Sequence, residues 1–355
     1  MFGCSLEVDS VKRYDNIDFL KGLACIAVVL IHVHFPRPIE WPVVAACRFA
    51  VPLFLAVSGF FFTSRGTCSF ASTGRKLRHS LVLGIWTTFV LAFLTLVQGG
   101  LDPRLSSTWF LHGHATAADV AKFFITNAPP PPLVHLWFLW ALVYCYLFAL
   151  VWFGDGKRLW TAGPIGLILL VGIVLSQEFA HCLPFNPAIP FRGMPVRLCV
   201  LFAFRALPFF LLGIWLRKHE EIVRNCALPT WMYAAIALLG QIVAVAEWRL
   251  FGVAQFYLGS YLTVAAIFAW AIRDPEGGWR PIVFIGRRLS LLVYILHIAV
   301  RDFLAILLRG LHVDQSPFIR WTLPGIVVAL SLLVAFALDR VWQYAEATKH
   351  TKYTQ

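Results

Sequence analysis

An imidazole, an ammonium and a carboxylate share one apolar stretch near the N-terminus. Residues Asn16–His34 read NIDFLKGLACIAVVLIHVH and carry Asp18, Lys21 and His32. Lys21 and His32 lie eleven positions apart. On a helix that is about three whole turns, so both side chains leave from nearly the same face, roughly 16 Å apart along the axis. The imidazole can accept a proton. The ammonium can hold an anion. Two guanidiniums, Arg48 and Arg205, and two further imidazoles, His135 and His297, also fall within apolar sequence. Ionisable groups placed this way are costly, and they usually face a bundle interior or a wet cavity.

The elements that position these groups are membrane helices. The chain has 355 residues, is 59% hydrophobic and 14% charged, and has a mean hydropathy of +0.75. Soluble domains are less apolar and carry more charge. The expected fold is an all-α, polytopic membrane bundle of about ten spans. They lie near 17–35, 43–63, 79–98, 135–153, 160–177, 200–216, 230–247, 255–272, 289–308 and 321–341, each long enough to cross a bilayer. These spans follow one another closely, so residues 1–355 read as one integral membrane domain. The first residues, up to Asn16, are polar and do not resemble a secretory signal.

With the N-terminus inside, the inner segments hold 18 Lys and Arg against 9 outside. That bias predicts cytoplasmic termini. The net charge of +12 resides in short loops beside the spans, which excludes a nucleic-acid binder. The eight cysteines form no CxxC pair, so neither a zinc site nor a disulfide framework is expected. Of the two long outer loops, Gln98–Val134 carries Trp109, His112, His114, a short amphipathic stretch (Ala117–Phe124) and four prolines; Ser176–Leu198 is rich in Pro and Phe.

This topology gathers His32, Arg48, His135, Trp137, Arg205 and His297 in the outer half. Asp18, Lys21 and the basic loop Arg75, Lys76 and Arg78 fall at the inner face. Each has a plainer reading. Lys21 could snorkel to headgroups or pair locally with Asp18. His135 and Trp137 could anchor an interface. A lone helical His is most often a hydrogen-bonded core residue. Arg48 and Arg205 resist the plain view. They need anionic or carbonyl partners, and only Asp302 and Glu247 are clear outer-half carboxylates, so an anionic ligand is the alternative.

The motifs resemble the acyltransferase-3 family of integral membrane acyltransferases. The opening one is DFLKGLACIAVVLIH, with Asp18, Lys21, Gly22 and His32; the next is RFAVPLFLAVSGF, with Arg48 and Ser58–Gly59–Phe60. HLWFL (His135–Leu139), RALPFFLLG (Arg205–Gly213) and SLLVYILH (Ser290–His297) follow in order. Lys21 stands where the family more often has Arg. Span 4 lacks the Trp-Ser-Leu-x-x-Glu pattern of the larger branch, so the chain is similar to the smaller branch, which acetylates surface polysaccharides.

The resemblance implies transfer of an acyl group, most often acetyl from cytoplasmic acetyl-CoA, to a hydroxyl of a surface glycan or lipid-linked sugar. Acyl-CoA is polyanionic, and Asp18, Lys21, Arg75, Lys76 and Arg78 would form its site. His32 would act as general base, and Arg48 would stabilise the oxyanion or hold the acceptor. His135, Trp137, Arg205, Tyr294 and His297 would bind substrate. No metal is expected, and the implied setting is the lipid of the cell's inner or plasma membrane. The rival class is a transporter of an anionic sugar or acid. The sequence lacks the paired Gly/Pro-broken helices that mark many transporter sites.

Overall fold

The computed structural model describes residues 14–63, 67–102, 123–125, 127, 129, 133–177, 188–191, 194–197, 202–252, 254 and 256–352. The protein is a helical bundle, and the described part of each expected span contains helix. In chain order the helices are α1 (Asp15–His32), α2 (Glu40–Cys47), α3 (Ala50–Phe60), α4 (Phe70–Leu101), α5 (Trp137–Phe153) and α6 (Ala162–Gln177). They continue as α7 (Phe202–Arg205), α8 (Leu207–Lys218), α9 (Glu220–Arg224), α10 (Thr230–Phe251), α11 (Leu258–Arg273), α12 (Arg280–Phe284), α13 (Ser290–Gly310) and α14 (Pro317–Lys352). Among the described residues seven helical stretches are long and apolar enough to cross a membrane. The chain is thus a multi-pass membrane protein. The one sheet described is a hairpin of β1 (Ala188–Phe191) and β2 (Met194–Arg197), antiparallel, within the second long loop.

Several boundaries differ from expectation, each for a physical reason. The span expected at 43–63 is two helices that meet at Arg48–Phe49. Both junction residues keep right-handed helical dihedrals, so the chain turns with little change of course. The span at 200–216 is likewise divided, between Arg205 and Leu207, with Pro208 opening α8. A proline in the first turn costs a helix nothing, because its missing N–H had no partner there.

The stretch Arg75, Lys76 and Arg78 is not a loop. A capping box, in which the Ser69 side chain accepts from the Ser72 N–H and Ser72 returns the bond, starts α4 at Phe70. That seeds the helix well before the hydrocarbon-length segment begins. Arg287 and Arg288 are also helical, in a π turn over Ile285–Leu289 that joins α12 to α13. Most of the amphipathic stretch Ala117–Phe124, and with it Trp109, His112 and His114, lies outside the described residues.

Two helix crossings set the framework. At the crossing of α3 and α8, a Cβ on Gly59 would collide with the Phe210 carbonyl, and one on Gly213 with the Ala56 carbonyl. At the crossing of α1 and the π turn, a Cβ on Gly286 would collide with the Asp18 carbonyl. Small residues let backbones approach closely where lipid offers no hydrophobic drive for association. The main core lies among α1, α3, α5, α8 and α11, with Phe60, Phe153, Phe209, Phe210 and Phe268 buried at its centre.

Candidate active site

The framework creates two cavities at opposite ends of α3. The first is small, about 40 Å³, and is lined by His32, Arg48, Val51, His135, Trp137 and Tyr294, among others. His32 is the last residue of α1, and Arg48 stands at the α2–α3 junction. His135 sits in a 3₁₀ turn, Leu133–Leu136, that leads into α5; Trp137 begins that helix. Tyr294 and His297 are one turn apart on α13.

Three imidazoles meet here. The His32 ring centroid is 5.2 Å from that of His297 and 6.3 Å from that of His135, and His135 and His297 are 5.6 Å apart. His297 is fully buried, with Nδ1 3.0 Å from the Val293 carbonyl. That contact makes Nδ1 the protonated nitrogen and leaves the lone pair on Nε2. Among the described residues Nε2 has no hydrogen-bond partner. The Tyr294 hydroxyl donates to the His135 carbonyl at 2.6 Å and ties α13 to the 3₁₀ turn. Asn127 donates to the Trp137 carbonyl at 2.9 Å. Arg301 donates to the His32 carbonyl at 3.3 Å and to Asp302 at 2.7 Å, which fixes the end of α1.

Of the two arginines, Arg48 lines the cavity and Arg205 stands against Trp137 of its wall. Arg48 Nε is buried and has no hydrogen-bond partner among the described residues. Asp302 is engaged by Arg301, and Glu247 accepts from the Gly259 N–H at 3.1 Å. Arg205 lies over the Trp137 ring, 3.6 Å from its centroid. A guanidinium at that distance gains a cation–π attraction, which strengthens when water is excluded. Trp137 thus joins the cavity lining to the Arg205 guanidinium.

The second cavity, about 470 Å³, opens at the other end of α3. Its lining includes Ser58, Ser72, Arg75, Lys76, His79 and Tyr146. Ser72, Arg75, Lys76 and His79 fall at helical spacing i, i+3, i+4, i+7, so one face of α4 presents all four. Lys76 donates to the carbonyls of Phe61 and Phe62 beyond the end of α3. Arg78 is exposed and does not line this cavity. Asp18 and Lys21 are paired at 3.0 Å, and Arg287 binds Asp18 at 2.7 Å and Asp15 at 2.5 Å. Lys21 thus stands at this end of α1, within a local ion network, and lines neither cavity. Val51 and Ser58, one at each cavity, are about 10 Å apart along α3. Phe54 packs against Phe138 between them, with ring centroids 6.1 Å apart.

The sequence placed His32, Arg48, His135, Trp137, Arg205, Tyr294 and His297 in one region, and the fold brings them together. It missed His79, Ser72 and Tyr146. The first two were legible in the helical spacing from Arg75, but a loop assignment hid that spacing. It gave no warning that Arg301 holds the His32 backbone. Among the described residues no group of His, Cys, Asp and Glu has a metal-binding arrangement.

Comparison with known proteins adds the family. No curated protein and no solved structure matches the chain. The acyltransferase-3 profile, described as an acyltransferase domain, matches residues 14–340, and so the chain is a membrane acyltransferase that belongs to this family.

Proposed function

We propose that the protein moves an acyl group, most often acetyl, from cytoplasmic acyl-CoA to a hydroxyl of a surface glycan or lipid-linked sugar. The carrying observation is the small cavity in which His32 meets Arg48, an arginine whose Nε has no protein partner among the described residues. In this reading neutral His32 takes the proton of the acceptor hydroxyl as its oxygen attacks the thioester carbonyl. The carbon–oxygen bond forms and the carbon–sulfur bond breaks. The proton then passes from His32 to the departing thiolate. General-base help of this kind is typically worth about 10²–10⁴ in rate. Arg48 faces the oxyanion that develops on the carbonyl, and a cation fixed in a water-poor cavity contributes a few kcal/mol.

The rest of the site divides the binding work. Arg75, Lys76, His79 and Ser72 hold the donor's phosphates in the wider cavity, with Lys21 and Asp18 nearby on the same side. The donor's extended thiol arm crosses the gap of about 10 Å beside Phe54 and Phe138. Trp137, backed by Arg205, and His135, Tyr294 and His297 bind the acceptor. In this reading the end bearing the wider cavity is cytoplasmic, which the Lys and Arg bias supports. The enclosing membrane is the cell's inner or plasma membrane.

The test is the purified full-length protein with radiolabelled acetyl-CoA and a panel of lipid-linked sugars. Label in an ester that mild alkali releases is the expected result. Label that stays in acetyl-CoA with every acceptor counts against the assignment.

A further inference from the structure

We infer that an apolar groove between α4, α13 and α14 holds the hydrocarbon tail of a sugar acceptor anchored by a single chain, and that its head enters the His32 cavity sideways, past His135. This rests on the acyl-transfer reading of that cavity. The groove is about 400 Å³ and is lined by apolar side chains alone, among them Leu94, Ala299, Phe303, Leu307, Leu330 and Val334. It lies on spanning helices, so its open side faces hydrocarbon.

What separates this groove from an ordinary lipid-facing dent is its continuity with the catalytic cavity. A constriction of about 10 Å³ adjoins it, lined by Leu94, Gln98, His135, Ala299 and Asp302, among others. The constriction shares Leu94 and Ala299 with the groove and His135 with the His32 cavity. Space of that size holds about one water molecule.

The same sequence of faces is written around α13, which turns about 100° per residue. Tyr294 and His297 look into the catalytic region, Ile298 and Asp302 face the constriction, and Ala299 stands at the boundary. Phe303, Leu296 and Leu307 complete the turn into the groove.

Polarity changes in step. The groove is wholly apolar, the constriction carries Gln98 and Asp302, and the inner cavity carries imidazoles and Arg48. A molecule with a hydrocarbon tail and a polar head matches that gradient, with the head innermost. A bilayer phospholipid does not, because its head belongs at the interface and it brings two chains. The seam is held shut by Gln98, which donates to the Ala299 carbonyl at 3.0 Å. One turn further along α4, Asp102 pairs with Arg309 of α13 at 2.8 Å. Admission of a head requires the Gln98 bond to open.

The experiment places the full-length protein in lipid nanodiscs without any acyl donor, so labelling does not depend on turnover. One probe is a long-chain alkyl β-glucoside with a diazirine at the tail end. The other is a phosphatidylcholine with a diazirine at the same depth. After illumination, peptides are mapped by mass spectrometry. The expected result is glucoside labelling at 303–307 and 330–334, several-fold above the phosphatidylcholine signal and removed by excess unlabelled glucoside. Val300→Trp, which fills the groove, should abolish it; Leu304→Trp serves the same purpose if the first variant fails to fold. Equal labelling by both probes, unaffected by competitor, means bulk lipid alone and overturns the inference. So does labelling confined to the exposed face of α4 around Trp86, Phe89 and Phe93.

Discussion

At the scale of single residues, the proposed chemistry depends on what Arg48 can do that another cation cannot. Its guanidinium is a planar fork of donors, and it sits beside Val51 at a helix junction. Lysine keeps the charge but offers a compact, strongly hydrated ammonium in place of the fork. Arg48→Lys should therefore fall nearly as far as Arg48→Ala, a loss of about 10²–10³ in kcat. Steady-state assays of the two variants side by side check this. Near-normal activity in Arg48→Lys would reduce the residue to bulk positive charge and move the oxyanion role to Arg205, Tyr294 or His297.

At the scale of elements, α4 carries the cations proposed to hold the donor, and the α3–α8 crossing carries the framework. Arg75→Gln with Lys76→Gln should weaken acetyl-CoA affinity by about 30-fold or more, because each of the two charge-assisted contacts to phosphate is worth on the order of 1–2 kcal/mol. Acetyl-CoA titration followed by calorimetry measures it, and acceptor affinity should be unmoved. Gly213→Val forces a branched side chain against the Ala56 carbonyl. Overpacking of that kind costs about 1–3 kcal/mol and should lower the thermal unfolding temperature in detergent.

These same elements show where the sequence was legible. Long apolar runs announced the spans, since no soluble fold tolerates them. The order of the motifs grouped His32, Arg48, His135 and Trp137, which the fold sets around one small cavity. Start signals outside the apolar runs were harder to read. The Ser69–Ser72 box moved α4 toward the N-terminus and turned a basic loop into one face of a helix. Junctions within spans, at Arg48–Phe49 and at Ala206, were hidden because hydropathy averages over them. Contacts between distant segments, such as Arg301 with the His32 carbonyl, leave no local trace.

At the scale of the whole molecule, the bundle sets a polar cavity, the proposed donor site, at one end of α3 and a cavity bordered by imidazoles, the proposed acceptor site, at the other, with packed aromatics between. The division makes one residue decisive. The most direct measurement compares wild type with His32→Ala, both reconstituted in lipid vesicles, with radiolabelled acetyl-CoA and a lipid-linked sugar acceptor. Circular dichroism and gel filtration of the two proteins verify the fold. The account predicts a loss of about 10²–10⁴ in transfer rate with the fold and acetyl-CoA affinity preserved. Transfer at the wild-type rate by a folded His32→Ala protein would contradict it.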